Sequence, residues 1–212
     1  MEEEPEEKES IKVILIGDTG VGKTNLINVA SGREFNENEG STLTASYVKK
    51  EFNINGEKYS ISLWDTIGQE KLRALSKLFF KNSKIVIYVY DITSKVTFEG
   101  LNSWNDDVKN CIGDDVIKAV VGNKQDLYLE EEVNEEEANN YATSLNAKFR
   151  LTSAKREPAG FSQFLEELLK DYINIYENKN LKEEKEEKEE KKIVIKNKKL
   201  QKDNKKEKKS FC

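Results

Sequence analysis

Residues Gly17-Asp18-Thr19-Gly20-Val21-Gly22-Lys23-Thr24 match the pattern G-x-x-x-x-G-K-[ST] at every fixed position. The flanks fit the same device. Ile11-Lys12-Val13-Ile14-Leu15-Ile16 reads as a buried strand, and Asn25-Leu26-Ile27-Asn28-Val29-Ala30 reads as a helix. Glycines between strand and helix let the backbone take positive φ and bring its N–H groups close to phosphate oxygens. The helix N-terminus adds a partial positive charge of about half a unit. The backbone of Asp18, Thr19, Gly20, Val21 and Gly22 is thus expected to cradle phosphates, with Lys23 reaching the β and γ groups and the Thr24 hydroxyl ligating Mg2+.

At 212 residues the chain suits one domain with tails, large enough to bury roughly 70 per cent of its unfolded surface. Histidine is absent and the only cysteines are Cys111 and Cys212. That excludes a disulfide framework, zinc sites, and Ser-His or Cys-His catalysis. Cys111 falls in a helical pattern and is expected to be packed and inert. No apolar run approaches the roughly 20 residues that span a bilayer, and Met1 is followed by acidic residues, so a cytoplasmic protein is expected.

Residues 1–10 carry six glutamates against Lys8 and read as a solvated acidic tail. The domain spans 11–177, and 178–212 forms a charged tail that ends in Cys212. Within that tail, Lys182 to Lys192 alternates Glu and Lys without an apolar stripe and reads as a partial helix or a spacer. From Lys191 to Lys209, ten lysines stand against Asp203 and Glu207, which suits an anionic surface or mere solubilisation.

Inside the domain, Ser31 to Thr44 is a polar loop. Tyr47–Asn53 and Lys58–Trp64 flank Asn55-Gly56, a hairpin signal, and Tyr59–Trp64 is expected to pair with the first strand. Lys84–Tyr90 and Val116–Val121 are too apolar to have one wet face. Helical patterns cover Lys71–Phe80, Thr97–Cys111, Glu135–Leu145 and Phe161–Tyr176. The alternation predicts an α/β fold of the phosphate-loop NTPase kind. It has three layers: a six-stranded, mostly parallel sheet with one antiparallel edge strand, and helices on both faces.

Three later stretches narrow the ligand. Asn123-Lys124-Gln125-Asp126 follows a buried strand, where doubly wound folds place ligand-contacting residues. The Asp126 carboxylate suits the N1–H and exocyclic amine of guanine; adenine lacks that donor pair and leaves the acid unsatisfied at about 1 to 3 kcal/mol. Ser153-Ala154-Lys155 can supply a backbone N–H to the guanine carbonyl. Trp64-Asp65-Thr66-Ile67-Gly68-Gln69-Glu70 places Asp65 to hold Mg2+ through water and Gly68 to offer its N–H to the γ phosphate.

These motifs, in this order and spacing, resemble the Ras superfamily of small GTPases over about Ile11 to Tyr176. The nearest likeness is to Rab proteins, through Trp64-Asp65-Thr66, Tyr88-Val89-Tyr90-Asp91-Ile92-Thr93 and Thr97-Phe98-Glu99-Gly100-Leu101-Asn102-Ser103-Trp104. The resemblance implies that Thr42 closes on Mg2+ and the γ phosphate, that Phe35 packs edge-on against guanine, and that the stem of Lys124 covers one face of the base. Gln69 would orient the attacking water. It further implies a slow GTPase that regulates vesicle traffic, with guanine nucleotide, exchange factor, activating protein and effectors as partners. The chain would be a monomer without nucleic acid, reaching the cytosolic face of an intracellular membrane through a prenylated Cys212. No arginine is placed by motif as an internal finger.

Two departures stand out. Ile67 replaces a small alanine, which predicts altered hydrolysis; Glu39 replaces an aromatic residue, which predicts a looser loop. A hydrolysis-impaired, constitutively GTP-bound scaffold and a Ras-like signalling GTPase are the other readings.

Overall fold

The structure is a computed structural model that describes residues 10–40, 42, 46–66 and 79–176. The chain divides into two units, Met1–Lys170 and Asp171–Cys212. Of the second, residues 171–176 are described; they are helical, with the Tyr172 and Tyr176 rings stacked at 4.4 Å. The helix expected over Lys71–Phe80 is described only at its last two residues, and the acidic and basic tails lie outside the described residues.

In the first unit the apolar runs become strands. β1 (Ile11–Ile16), β2 (Ser46–Ile54), β3 (Glu57–Asp65), β4 (Ile85–Asp91), β5 (Ile117–Asn123) and β6 (Lys148–Leu151) form one sheet in the order β2-β3-β1-β4-β5-β6. Only β2, at the edge, runs antiparallel to its neighbour. Its hairpin with β3 turns at Asn55 and Gly56, whose φ values of 55° and 86° give the turn that matches strand twist. As expected, β3 lies beside β1, pairing Ile11 with Ile61 and Leu15 with Asp65.

Alternate residues of the central strands face opposite sides, and both sides are buried. Ile14, Ile16, Val86, Tyr88, Tyr90 and Val120 join one core with α2 (Lys95–Glu99), α3 (Leu101–Ile112) and α4 (Glu135–Ser144). Val13, Leu15, Ile85, Ile87 and Val89 are equally buried on the other face. α1 (Lys23–Ala30) buries Leu26, Ile27, Val29 and Ala30. A last helix, α5, covers 158–170 in this unit and buries Phe161, Phe164, Leu165, Leu168 and Leu169, a stripe at the spacing of one helical face. The α4 start is capped by Asn134, which accepts the N–H of Glu137 at 2.8 Å.

Two expectations change. The single helix over Thr97–Cys111 starts earlier and divides at Gly100, because the start of α3 presses on the phosphate loop. A Cβ on Gly100 would stand 2.8 Å from Asp18 Oδ2. Cys111 is exposed rather than packed. The buried stripe of α3 runs through Leu101, Trp104, Asn105 and Val108; position 111 follows its edge at helical spacing but falls in the last turn, past the end of the buried residues.

Candidate functional site

Parallel pairing brings the carboxyl ends of β1, β3, β4, β5 and β6 to one edge of the sheet, where open α/β sheets hold ligands. A cleft of about 310 Å³ opens there. It is lined by Thr19, Gly20, Gly22, Lys23, Thr24, Phe35, Thr42, Asn123, Lys124, Asp126, Ala154 and Lys155, all singled out from the sequence. Glu39, marked from the sequence as a departure, also lines it, and Asn25, Glu37, Gly40 and Leu127, which were not singled out, complete the lining.

At the phosphate end the backbone itself is the device. Gly17 (φ 145°) passes so close to the Val89 carbonyl that any Cβ would collide with it. Gly22 (φ 94°) starts α1, and a Cβ there would run into the Asn123 carboxamide. Lys23 is 6 % exposed, and its amine donates to the carbonyls of Gly17 and Asp18 at 2.8 Å each. Burial pushes its pKa down to about 8, against the pull of the Asp65 and Asp18 carboxylates. Asp18 and Val21 do not line the cleft. Asp18 turns its carboxylate to α3, where Oδ1 accepts the Trp104 indole N–H at 2.9 Å, and Val21 is fully buried.

Thr24, Thr42 and Asp65, the three residues expected around Mg2+, meet. Thr24 Oγ1 donates to Asp65 Oδ2 at 2.8 Å and lies 2.9 Å from Thr42 Oγ1, which stands 3.3 Å from the same carboxylate oxygen. Asp65 Oδ1 is buried with no hydrogen-bond partner among the described residues. Burial raises the Asp65 pKa, against the hydrogen bond from Thr24 and the charge of Lys23. An orphaned carboxylate oxygen beside two hydroxyls is a hard, oxygen-only donor set, which fits a cation that keeps water and phosphate in its remaining positions. Among the described residues no group of three or more His, Cys, Asp and Glu side chains offers an alternative metal site.

At the other end, Asn123 ties two loops together. Its Nδ2 donates to Val21 O at 2.9 Å, and its Oδ1 accepts the Ala154 N–H at 3.3 Å. The Lys124 amine is drawn to Asp91 at 2.6 Å, and the Asp91 carboxylate is itself held by the backbone and hydroxyl of Thr93. The Lys124 stem is thereby laid along the cleft wall. Ser153 stands behind the wall: its hydroxyl donates to Asp126 Oδ1 and accepts the Arg156 N–H at 2.9 Å, which fixes the carboxylate.

The third wall is the arm 31–40, which has neither helix nor strand. Glu39 is tied down in it, accepting from Asn36 Nδ2 at 3.2 Å and Asn28 Nδ2 at 3.4 Å. The expected loosening by its charge is therefore countered by two amide donors from α1 and the arm. Ile67, Gly68, Gln69 and Cys212 lie outside the described residues. Sequence reasoning missed Asp91, Trp104 and the arm's polar contacts. Asp91 and Trp104 sit inside segments that carried the family likeness, whereas nothing in the spacing of Asn25 or Glu37 marks them.

On β2 and β3, Tyr47 is 54 % exposed and stacks on Trp64 at 5.0 Å, and Trp64 also meets Phe79 at 6.0 Å and the Lys12 amine at 4.3 Å. Tyr47 is thus an exposed ring resting on half-buried Trp64. Among the described residues no helix is long and apolar enough to cross a membrane.

Comparison with known proteins agrees with this geometry. The model of the Ras family matches residues 12–174. Ras-related protein Rab-21 of Geodia cydonium is 40 % identical over 155 residues, 73 % of this chain and 68 % of that protein. Rab-21 of Homo sapiens is 38 % identical over 162 residues, 76 % of this chain and 70 % of that protein. Rab-11C of Dictyostelium discoideum is 33 % identical over 179 residues, 84 % and 80 % of the two chains. The chain belongs to the Ras family and is a Rab-like small GTPase, an enzyme that binds and hydrolyses GTP.

Proposed function

We propose that the cleft holds GTP or GDP together with Mg2+, and that slow hydrolysis switches effector binding in intracellular vesicle traffic. One observation carries the reading: a single cleft has Thr24, Thr42 and Asp65 converging near one end and Asp126, braced by Ser153, lining the other. In it, the backbone of Thr19, Gly20 and Gly22 and the amine of Lys23 take the phosphates. Asp126 and the Ala154 N–H read the guanine edge, while Phe35 and the Lys124 stem pack on the base. Thr24, Thr42 and Asp65 hold the cation, which when bound neutralises charge on the β and γ oxygens. Gly68 donates to the γ phosphate and Gln69 orients the attacking water, so catalysis is mostly positioning and charge stabilisation.

Loss of the γ phosphate removes what Thr42 and Gly68 close upon, and both switch segments relax. Exchange factor, activating protein and effectors read that difference, and the exposed Tyr47 beside the first switch segment supports partner contact there. The ten-lysine segment 191–209 with a prenylated Cys212 would give the two signals that stable membrane attachment needs, placing the switch on the cytosolic face of a vesicle membrane.

Single-turnover hydrolysis by the full chain with Mg2+ tests this reading. The expected rate is on the order of one event per hour or slower without an activating protein. Gln69→Ala should slow it further, and Ile67→Ala should change it. A wild-type rate at the solvent background, with Ile67→Ala restoring turnover, favours the constitutively loaded scaffold; a rate unaffected by Gln69→Ala contradicts the assigned role.

A further inference from the structure

The arm 31–40 forms a wall of the cleft yet has neither helix nor strand to hold it; the backbone ties its start to α1, with the Arg33 N–H on the Asn28 carbonyl at 2.9 Å, and beyond that its position rests on side chains. Two contacts, on adjacent residues, do this next to Phe35. The Asn25 carboxamide, 9 % exposed in the first turn of α1, pairs with the backbone of Asn36: Nδ2 donates to the carbonyl and Oδ1 accepts the N–H, both at 2.9 Å. It engages residue 36 as a neighbouring strand would, with no freedom for the arm to slide. One residue on, Glu37 Oε1 meets Lys155 Nζ at 2.8 Å, and that amine lies 5.9 Å from the centre of the Phe35 ring. The arm is thus fastened to α1 on one side and to the loop after β6 on the other, with Phe35 held at the junction.

We propose that Asn25 and Glu37 are positioning residues that hold Phe35 against the base and so set the rate at which nucleotide leaves the cleft. The inference rests on the nucleotide reading above and deepens it. Nucleotide cannot depart past Phe35 while both fastenings hold, because the two sides of the cleft are joined at this point. Opening needs the Asn25–Asn36 pair or the Glu37–Lys155 pair to break. Neither residue touches the reacting phosphate, so hydrolysis per bound GTP does not depend on them.

The full chain loaded with fluorescent GDP and Mg2+ provides the test, read as release after an excess of unlabelled GDP is added. Asn25→Ala removes two hydrogen bonds and should speed release about 10-fold or more. Glu37→Lys and Lys155→Glu should each speed it about 3-fold or more, the scale of an exposed pair. The double exchange of Glu37→Lys with Lys155→Glu should return release to within about 2-fold of wild type. That rescue is specific to a pairing contact, since a general loss of fold would deepen in the double variant. Unchanged release in Asn25→Ala and Glu37→Lys, or a double exchange faster than either single, overturns the proposal even though GDP binds. Failure of the wild-type chain to take up fluorescent GDP overturns the nucleotide reading and the proposal with it.

Discussion

Two walls of the cleft, the phosphate loop and the arm 31–40, are built on different principles. The phosphate loop is made of backbone held in the core: Gly17 against the Val89 carbonyl, Gly22 against Asn123, and Lys23 buried on two carbonyls. The arm 31–40 is held mostly by side chains: the half-buried contact of Asn25 with the Asn36 backbone, and the exposed contacts of Glu39 with two asparagines and of Glu37 with Lys155. Changes to the first disturb the sheet and the ligand together. Changes to the second should move only the ligand. A GTPase switch needs both, because the phosphates require a rigid cradle while exchange requires a wall that can open.

Substitution of Gly22 by alanine should give the largest effect. Forcing a Cβ into positive φ costs about 1 to 2 kcal/mol before the collision with Asn123 is counted. We expect the thermal midpoint to fall by about 5 °C or more and GDP affinity to fall about 100-fold or more. An unchanged midpoint in a calorimetric scan would show that this wall yields as readily as the arm, and would break the contrast.

Asp65→Asn should separate stability from ligand. Burial raises the Asp65 pKa and its Oδ1 has no partner among the described residues, so its neutral isostere should leave the nucleotide-free protein no less stable. The gain in GDP affinity on adding Mg2+ should shrink about 10-fold or more, because the charged ligand is gone. Titrations with and without the metal read this directly; an undiminished Mg2+ effect would place the cation elsewhere.

Trp104→Phe removes the indole N–H from Asp18 Oδ1 and leaves a gap where the larger ring was buried. The loss should be about 2 kcal/mol or more in chemical denaturation, with a parallel few-fold loss of GDP affinity, since the backbone carbonyl of the same Asp18 accepts from Lys23. A change in affinity without a change in stability would move the phosphate loop into the same category as the arm.

The smallest effect is on salt. Raising ionic strength from 0.1 to 1 M shortens the screening length from about 10 to about 3 Å, which weakens the exposed Glu37–Lys155 pair. GDP release should therefore rise with salt about 2-fold more steeply in wild type than in Glu37→Gln, where the carboxylate is already absent. Parallel slopes would remove the ion pair from the arm's account.

Much of this was legible in the sequence, for the same reason that the two walls differ. Backbone devices write themselves as fixed spacings: glycines at 17, 20 and 22, Asn55-Gly56 at the hairpin, and apolar runs for β1, β4 and β5. The Asp126 and Ser153-Ala154 loops follow strand ends, so their convergence follows from a parallel sheet. Side-chain fastenings carry no such mark. Asn25 and Asn36 are 11 residues apart, and Glu37 and Lys155 are 118 apart, with nothing local to pair them. Cys111 stands at helical spacing from Trp104 and Val108 and so reads as packed, but it lies in the last turn of α3, where the buried stripe has already ended. Gly100 read as an ordinary helix interior, whereas its bare Cα is what lets α3 close on Asp18.

The most direct measurement is competition for the cleft. With the full chain loaded with fluorescent GDP and Mg2+, unlabelled GDP should displace the probe at concentrations about 100-fold or more below those needed for ADP, because adenine leaves Asp126 without its donor pair. In Asp126→Ala that gap should close to within about 10-fold. Equal displacement by ADP in the wild-type chain would contradict the assignment of this cleft to guanine nucleotide.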